Sequence, residues 1–288
     1  MRYSIAFAAA ALASSVSAHG VITSVQGANG VTMPGLSVID GTPRDSGNPL
    51  SGSEADTSII RTKEMGGKAS ALGRTQGGGA VDAASAIATF MGTGGAGAAA
   101  TKRGLLDALT GGAGGKGAAG GAAGGAAGTK TAKGTAEAGV AAAAGSGASQ
   151  GLPTTADDGT ITMTFHQVNQ DGAGPLTAAI DATSGGTDPA AFQKATVTQD
   201  VPGIGIGGLS AASSMDFPVK VQMPQGMTCQ GTAGGAQNVC IVRMQNAALA
   251  GPFGGSAAFT QSTAAKKRAV EYNLRKRHMA RGILGKPE

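Results

Sequence analysis

Three histidines occur in the 288 residues, and the positions of two of them, His19 and His166, permit metal chemistry. His19 follows Val16-Ser17-Ala18, which places small residues at the −3 and −1 positions of an export cleavage site. A cut after Ala18 would give His19 a free α-amino group beside its ring nitrogen, two ligands from one residue. His166 stands near the end of the alternating stretch "TITMTFHQV" (160–168), on the face away from Ile161, Met163 and Phe165. A lone strand histidine is usually structural, but this one is not directed into that apolar face. Its imidazole would complete a set of three nitrogens in a T-shaped plane, an arrangement that suits Cu(II). A tetrahedral zinc site would need a fourth ligand or a bound water. Without the cut, His19 has an amide in place of the amine and the chelate is lost. Asn169, Asp171 and Gln167 are the candidates to orient an imidazole from behind. Asn169 and Asp171 have an equal role as turn formers in "NQDGAGP", and Gln167 alternates to the face opposite His166.

The elements that must carry these residues are bounded by composition. Residues 1–18 read as a signal peptide, with Arg2 ahead of a short apolar run from Ile5 to Leu12. That run is too short to span a bilayer, and no later stretch qualifies as a transmembrane segment. The expected product is secreted, extracellular or wall-bound, and begins at His19. Gly/Ala-rich sequence fills 92–151, typified by "GGAGGKGAAGGAAGGAAG", and predicts a disordered insertion between two parts of one domain, 19–91 and 152–263. Residues 264–288 hold eight lysines and arginines against two acids, net +6 where the whole chain carries +5. The remainder is therefore close to neutral, and 264–288 reads as a solvated, disordered basic tail. With its cations terminal and no aromatic stacking platform beside them, nucleic acid is excluded as a partner.

Strand signals dominate after the insertion. Besides 160–168, "MDFPVKVQM" (215–223) alternates with Phe217, Val219, Val221 and Met223 on one face, and Pro218 within it predicts an edge strand or a bulge. "HGVITSVQG", "NVCIVRM" and "AAFTQ" are further strands, and 79–91 predicts a short helix. Short strands separated by Gly/Pro turns predict an all-β sandwich. Cys229 and Cys240 are expected to close a disulfide loop in an oxidising compartment. "GIGIGG" (203–208) is not followed by a helical pattern with an acidic partner, so it reads as a turn and not a dinucleotide site.

The phrases "HGVITSVQGANGVTMPGLSVIDGTPRD", "SEADTSIIR", "HQVNQDGAGPLTAAIDATSGGTDPAAF", "VPGIGIGGLSAASSMDFPVKVQMP" and "CIVRMQNAALAGPFGG" resemble the fungal Gas/Mas-type family of secreted, appressorium-associated virulence factors. That family is similar in outline to lytic polysaccharide monooxygenases, copper enzymes on an immunoglobulin-like β-sandwich with an N-terminal histidine brace. The resemblance implies that His19 and His166 are the brace histidines of a surface Cu(II) site. It implies Phe253 of "GPFGG" at an axial position, where a packed core phenylalanine is the competing reading. Three functions follow as expectations: copper-dependent oxidative cleavage of a cell-wall polysaccharide, a non-enzymatic effector that binds a wall, host or fungal surface component, or a structural protein of the wall. A row of exposed aromatics suited to crystalline polysaccharide is absent from the sequence, and a shared fold does not establish an activity.

Overall fold

The computed structural model describes residues 19–94, 127–203, 209–248 and 250–284. The expected export signal, part of the Gly/Ala tract and most of "GIGIGG" lie outside the described residues. The described chain is mostly β. Its strands are β1 (Gly20–Gln26), β2 (Thr32–Pro34), β3 (Ser58–Ile59), β4 (Arg74–Thr75), β5 (Gly79–Ala80), β6 (Thr129–Lys130) and β7 (Thr160–Gln167). They continue as β8 (Thr177–Asp181), β9 (Phe192–Gln199), β10 (Met215–Gln222), β11 (Gly231–Ala233), β12 (Ala236–Gln245) and β13 (Phe253–Phe259). The helices are α1 (Ala83–Met91), α2 (Gly139–Ala143), α3 (Gly147–Gln150) and α4 (Thr263–Leu284).

Instead of two separate sheets, the described strands form one open antiparallel sheet in the order β2-β1-β7-β10-β9-β8-β12-β13-β3-β4-β5. β6 joins beside β10 and β11 beside β12. β9 links the two halves, because Phe192–Ala195 pair with β8 whereas Thr196, Val197 and Gln199 pair with β10. The sheet folds back on itself, so that β1 lies against β13 without pairing with it. Gly255 permits this approach: a Cβ there would sit 2.7 Å from the Ile22 backbone nitrogen. The core fills the fold. Ile161, Met163, Phe165, Val219 and Val221 enter it from one half, and Ile241, Val242, Met244, Ala257 and Phe259 from the other. This burial is the physical counterpart of the sequence alternation in β7 and β10.

The 79–91 prediction resolves into β5 and α1. Asp82 caps the helix by accepting from the Ala84 and Ser85 amides, and Gly92 ends it in the left-handed region. Cys229 and Cys240 are disulfide-bonded.

Three expectations are corrected. Pro218 is not on an edge strand, since β10 pairs with β7 on one side and with β6 and β9 on the other. On that second side β6 ends at Asp216 and β9 begins at Lys220, so the proline's missing donor falls in the gap. The irregularity of this ladder lies between Lys220 and Val221. The Gly/Ala tract is not disordered throughout, because 127–151 contains β6, α2 and α3. Arg44 holds this segment by bonding both Asp56 and Glu137, and Asp40 accepts from the Val140 and Ala141 amides at the start of α2. The basic tail is helical over Thr263–Leu284. Ser262 caps it through the Ala265 amide, Ala265 and Ala269 are buried, and Asn273 donates to the Gly226 carbonyl. No helix among the described residues is long and apolar enough to cross a membrane.

Candidate metal centre

The ladder between β1 and β7 places the two histidines. Val21 pairs with His166, and one step outward the Val168 amide donates to the His19 carbonyl at 3.0 Å. Alternation therefore puts His19 and His166 on one face as diagonal neighbours, a relationship with backbones about 7–8 Å apart. Gly20 stands between them with its missing side chain toward Phe165.

His166 is fully buried. Its Nδ1 lies 2.7 Å from Asp216 Oδ1, across the β7–β10 pair. A carboxylate only accepts, so Nδ1 carries a proton, and in the neutral ring Nε2 keeps its lone pair. That Nε2 is buried with no hydrogen-bond partner. His19 is 2% exposed, and its backbone nitrogen donates to Asn169 Oδ1 at 2.9 Å. Asn169 Nδ2 in turn donates to Glu54 Oε1 at 3.1 Å. Glu54 Oε1 is also 3.1 Å from His19 Nδ1 but off the direction of a hydrogen bond, which leaves both His19 ring nitrogens buried and unbonded.

The remaining candidates divide. Phe253 is buried with its ring 4.6 Å from that of His19, so it covers one side of the imidazole and also packs with Ile59 and Ala248. Burial raises the half-buried Asp171 carboxyl above its usual range, and the neighbouring His19 charge opposes that rise. Gln167 points away: its amide nitrogen sits 2.7–2.9 Å from Ser210 Oγ and the Ala212 and Asn169 carbonyls. The sequence predicts a surface site, whereas both imidazoles are buried in the chain that still carries residues 1–18. Among the described residues no group of three or more His, Cys, Asp and Glu side chains could hold a metal. A centre here would rest on the two histidines and the His19 nitrogen alone. Asp216 and Glu54 escaped the sequence because each meets its histidine only through the fold; the polar run around 53–58 is a local trace of Glu54 alone.

Comparison with known proteins gives this geometry a family. The model of the Egh16-like virulence factor family matches residues 17–254. The chain is 61% identical to the appressoria-specific virulence factor GAS2 of Pyricularia oryzae over 286 residues, which is 98% of this chain and 97% of that protein. It is 40% identical to the appressoria-specific virulence factor GAS1 of the same fungus over 129 residues, 43% of this chain and 50% of that one. No solved structure matches. With a family model spanning both histidines and a relative matched nearly end to end, the chain belongs to the Egh16-like virulence factor family.

Proposed function

We propose that the chain is a secreted, infection-related fungal protein whose folded sheet is an immunoglobulin-like sandwich, and that the mature N-terminus at His19 joins His166 to hold one Cu(II) as a histidine brace. The observation that carries this reading is the His166 ring. One nitrogen is fixed by Asp216 at 2.7 Å, and the other is buried without a partner. Such a nitrogen costs about 1–3 kcal/mol in a folded interior, and a metal bond would reverse that cost. The near-full-length similarity to an appressoria-specific virulence factor supports the infection-related part.

In this reading Asp216 sets the His166 tautomer, Asn169 aims the His19 nitrogen, and Phe253 excludes water from one side of the His19 ring. Bound copper would supply one-electron chemistry, the kind that oxidises a polysaccharide C–H bond when an oxygen species and a polymer reach the metal. The burial of both imidazoles favours the non-catalytic alternative, an effector that holds copper beneath its surface or acts at a wall or host surface without turnover.

The test is a titration of three proteins with Cu(II), followed by electron paramagnetic resonance. Protein beginning at His19 is expected to bind one equivalent tightly. An additional N-terminal residue or His166→Ala is expected to abolish that binding. Equal binding by all three overturns the brace. Incubation with a reductant and wall polysaccharides then separates the functions, because oxidised sugar products would establish catalysis and their absence would leave a copper holder.

A further inference from the structure

The run Ser53–Ser58 is polar yet buried, and it contains two carboxylates with different surroundings. Asp56 is matched by both terminal nitrogens of the Arg44 guanidinium, at 3.0 and 2.5 Å. Glu54, 5% exposed, makes no ion pair with a lysine or arginine among the described residues; its ion-pair partner is His19. Its neighbours are Asn169 Nδ2 and His19 Nδ1, each 3.1 Å from Oε1. Asp171 adds a second acid close to His19, also without a lysine or arginine ion pair among the described residues. A buried carboxylate without a cation is penalised by several kcal/mol. This end of the molecule therefore holds negative charge that its own basic side chains do not balance. The proposed ligands are an amine and two imidazoles, which bring no negative charge of their own. A divalent cation bound by them would be offset by Glu54 and Asp171, with Asp216 behind His166 as a third carboxylate.

We propose that Glu54 is the buried counter-charge of the metal centre: through Asn169 it fixes the His19 nitrogen, and its charge makes the site prefer Cu(II) to Cu(I). This inference rests on the brace reading. It makes Glu54 a positioning residue and not a ligand, in keeping with the absence of a three-group cluster among the described residues. Fixed negative charge beside a metal favours its higher charge state because the Coulomb term scales with ion charge and is weakly screened in a buried site.

The experiment uses chains beginning at His19: the native protein, Glu54→Gln, Glu54→Asp and His166→Ala. Cu(II) and Cu(I) affinities are measured by competition with chromophoric chelators, and melting is followed without metal. Glu54→Gln is expected to lose about 10–100-fold in Cu(II) affinity, the usual effect of removing a group that supports a ligand. Its Cu(I) affinity should fall by much less, and Glu54→Asp should restore part of the difference. Equal losses for both ions, or no loss for either, would overturn the proposal. His166→Ala distinguishes the two readings: native-like binding by that variant removes the brace itself, whereas lost binding there with unchanged Glu54→Gln removes only the role of Glu54. Should Glu54→Gln fail to fold, Asn169→Ala decides, since it cuts the link between the carboxylate and the His19 nitrogen. An unchanged Cu(II) resonance spectrum in that variant overturns the proposal.

Discussion

Asp216 Oδ1 and His166 Nδ1 lie 2.7 Å apart across the β7–β10 pair, joining a carboxylate 40% exposed to a ring almost wholly enclosed. The contact fixes both the tautomer and the orientation of the ring. Asp216→Asn removes the charge and keeps the shape, so the ring loses its strong acceptor. Copper affinity of protein beginning at His19 is expected to fall about tenfold or more. Melting of the metal-free form should change little, because a partly exposed pair contributes at most about 1 kcal/mol. A chelator-competition titration beside a thermal scan reads both quantities.

Gly20 lies between the two histidines in the β1–β7 ladder, and its lack of a side chain is structural. A Cβ there would stand 2.4 Å from Phe165 Cζ and 2.5 Å from Cε1, and Phe165 has no solvent exposure. Gly20→Ala must displace either the ring or β1. The expected destabilisation is about 1–3 kcal/mol, typical of overpacking a full core. Displacement of β1 would also carry His19 away from His166, so copper affinity should fall with stability. Urea unfolding and copper titration of the same variant check the two effects together.

Much of this arrangement is legible in the sequence wherever one face of a strand is buried. β7 and β10 alternate because Ile161, Met163, Phe165, Phe217, Val219 and Val221 all enter the core. The histidines are legible for a different reason, since His166 alternates out of that apolar face and His19 follows the small residues Val16-Ser17-Ala18. The tail helix is hidden because its apolar residues form no stripe. At 100° per residue Val270 and Leu274 fall on one side, and Tyr272 and Met279 on nearly the opposite one. What forms it is a run of good helix formers behind the Ser262 cap. The order in 127–151 is hidden more deeply: its anchors, Arg44 and Asp40, are 93 to 101 residues away along the chain. Glu54 and Asp216 are concealed in the same way, as each gains meaning only from a histidine that folding brings beside it.

Arg44 is therefore a test of what orders the Gly/Ala tract. Burial alone would make its guanidinium easier to deprotonate, but Asp56 and Glu137 more than reverse that tendency. Arg44→Ala strands Asp56, which has no solvent exposure, beside a partly covered Glu137. Loss of one member of such a buried set is expected to cost about 3–5 kcal/mol. Glu137→Gln should cost less, since Asp56 keeps its bidentate partner. Limited proteolysis should find new cleavage within 127–151 in Arg44→Ala before the rest of the fold is lost.

Asp181 gives a prediction with a sign in pH. It ends β8 with no solvent exposure and accepts from the Thr183, Ser184 and Gly186 amides at 2.8, 2.9 and 2.6 Å, and from Ser184 Oγ at 2.5 Å. Burial pushes its carboxyl up, but these bonds, led by Ser184, outweigh burial and hold it below the ordinary range. A carboxylate with a depressed folded pKa stabilises the fold above its unfolded pKa of about 3.9 and loses that contribution as pH falls through the folded value. Asp181→Ala leaves three turn amides without their acceptor, a loss of about 2–3 kcal/mol at neutral pH. The gap between native protein and variant should stay level from pH 7 to about 5, narrow below about pH 4 and continue closing beneath the ordinary carboxylate range. Urea unfolding of both proteins at stepped pH measures it, and a gap that widened on acidification would remove the hydrogen-bonded carboxylate as the cause.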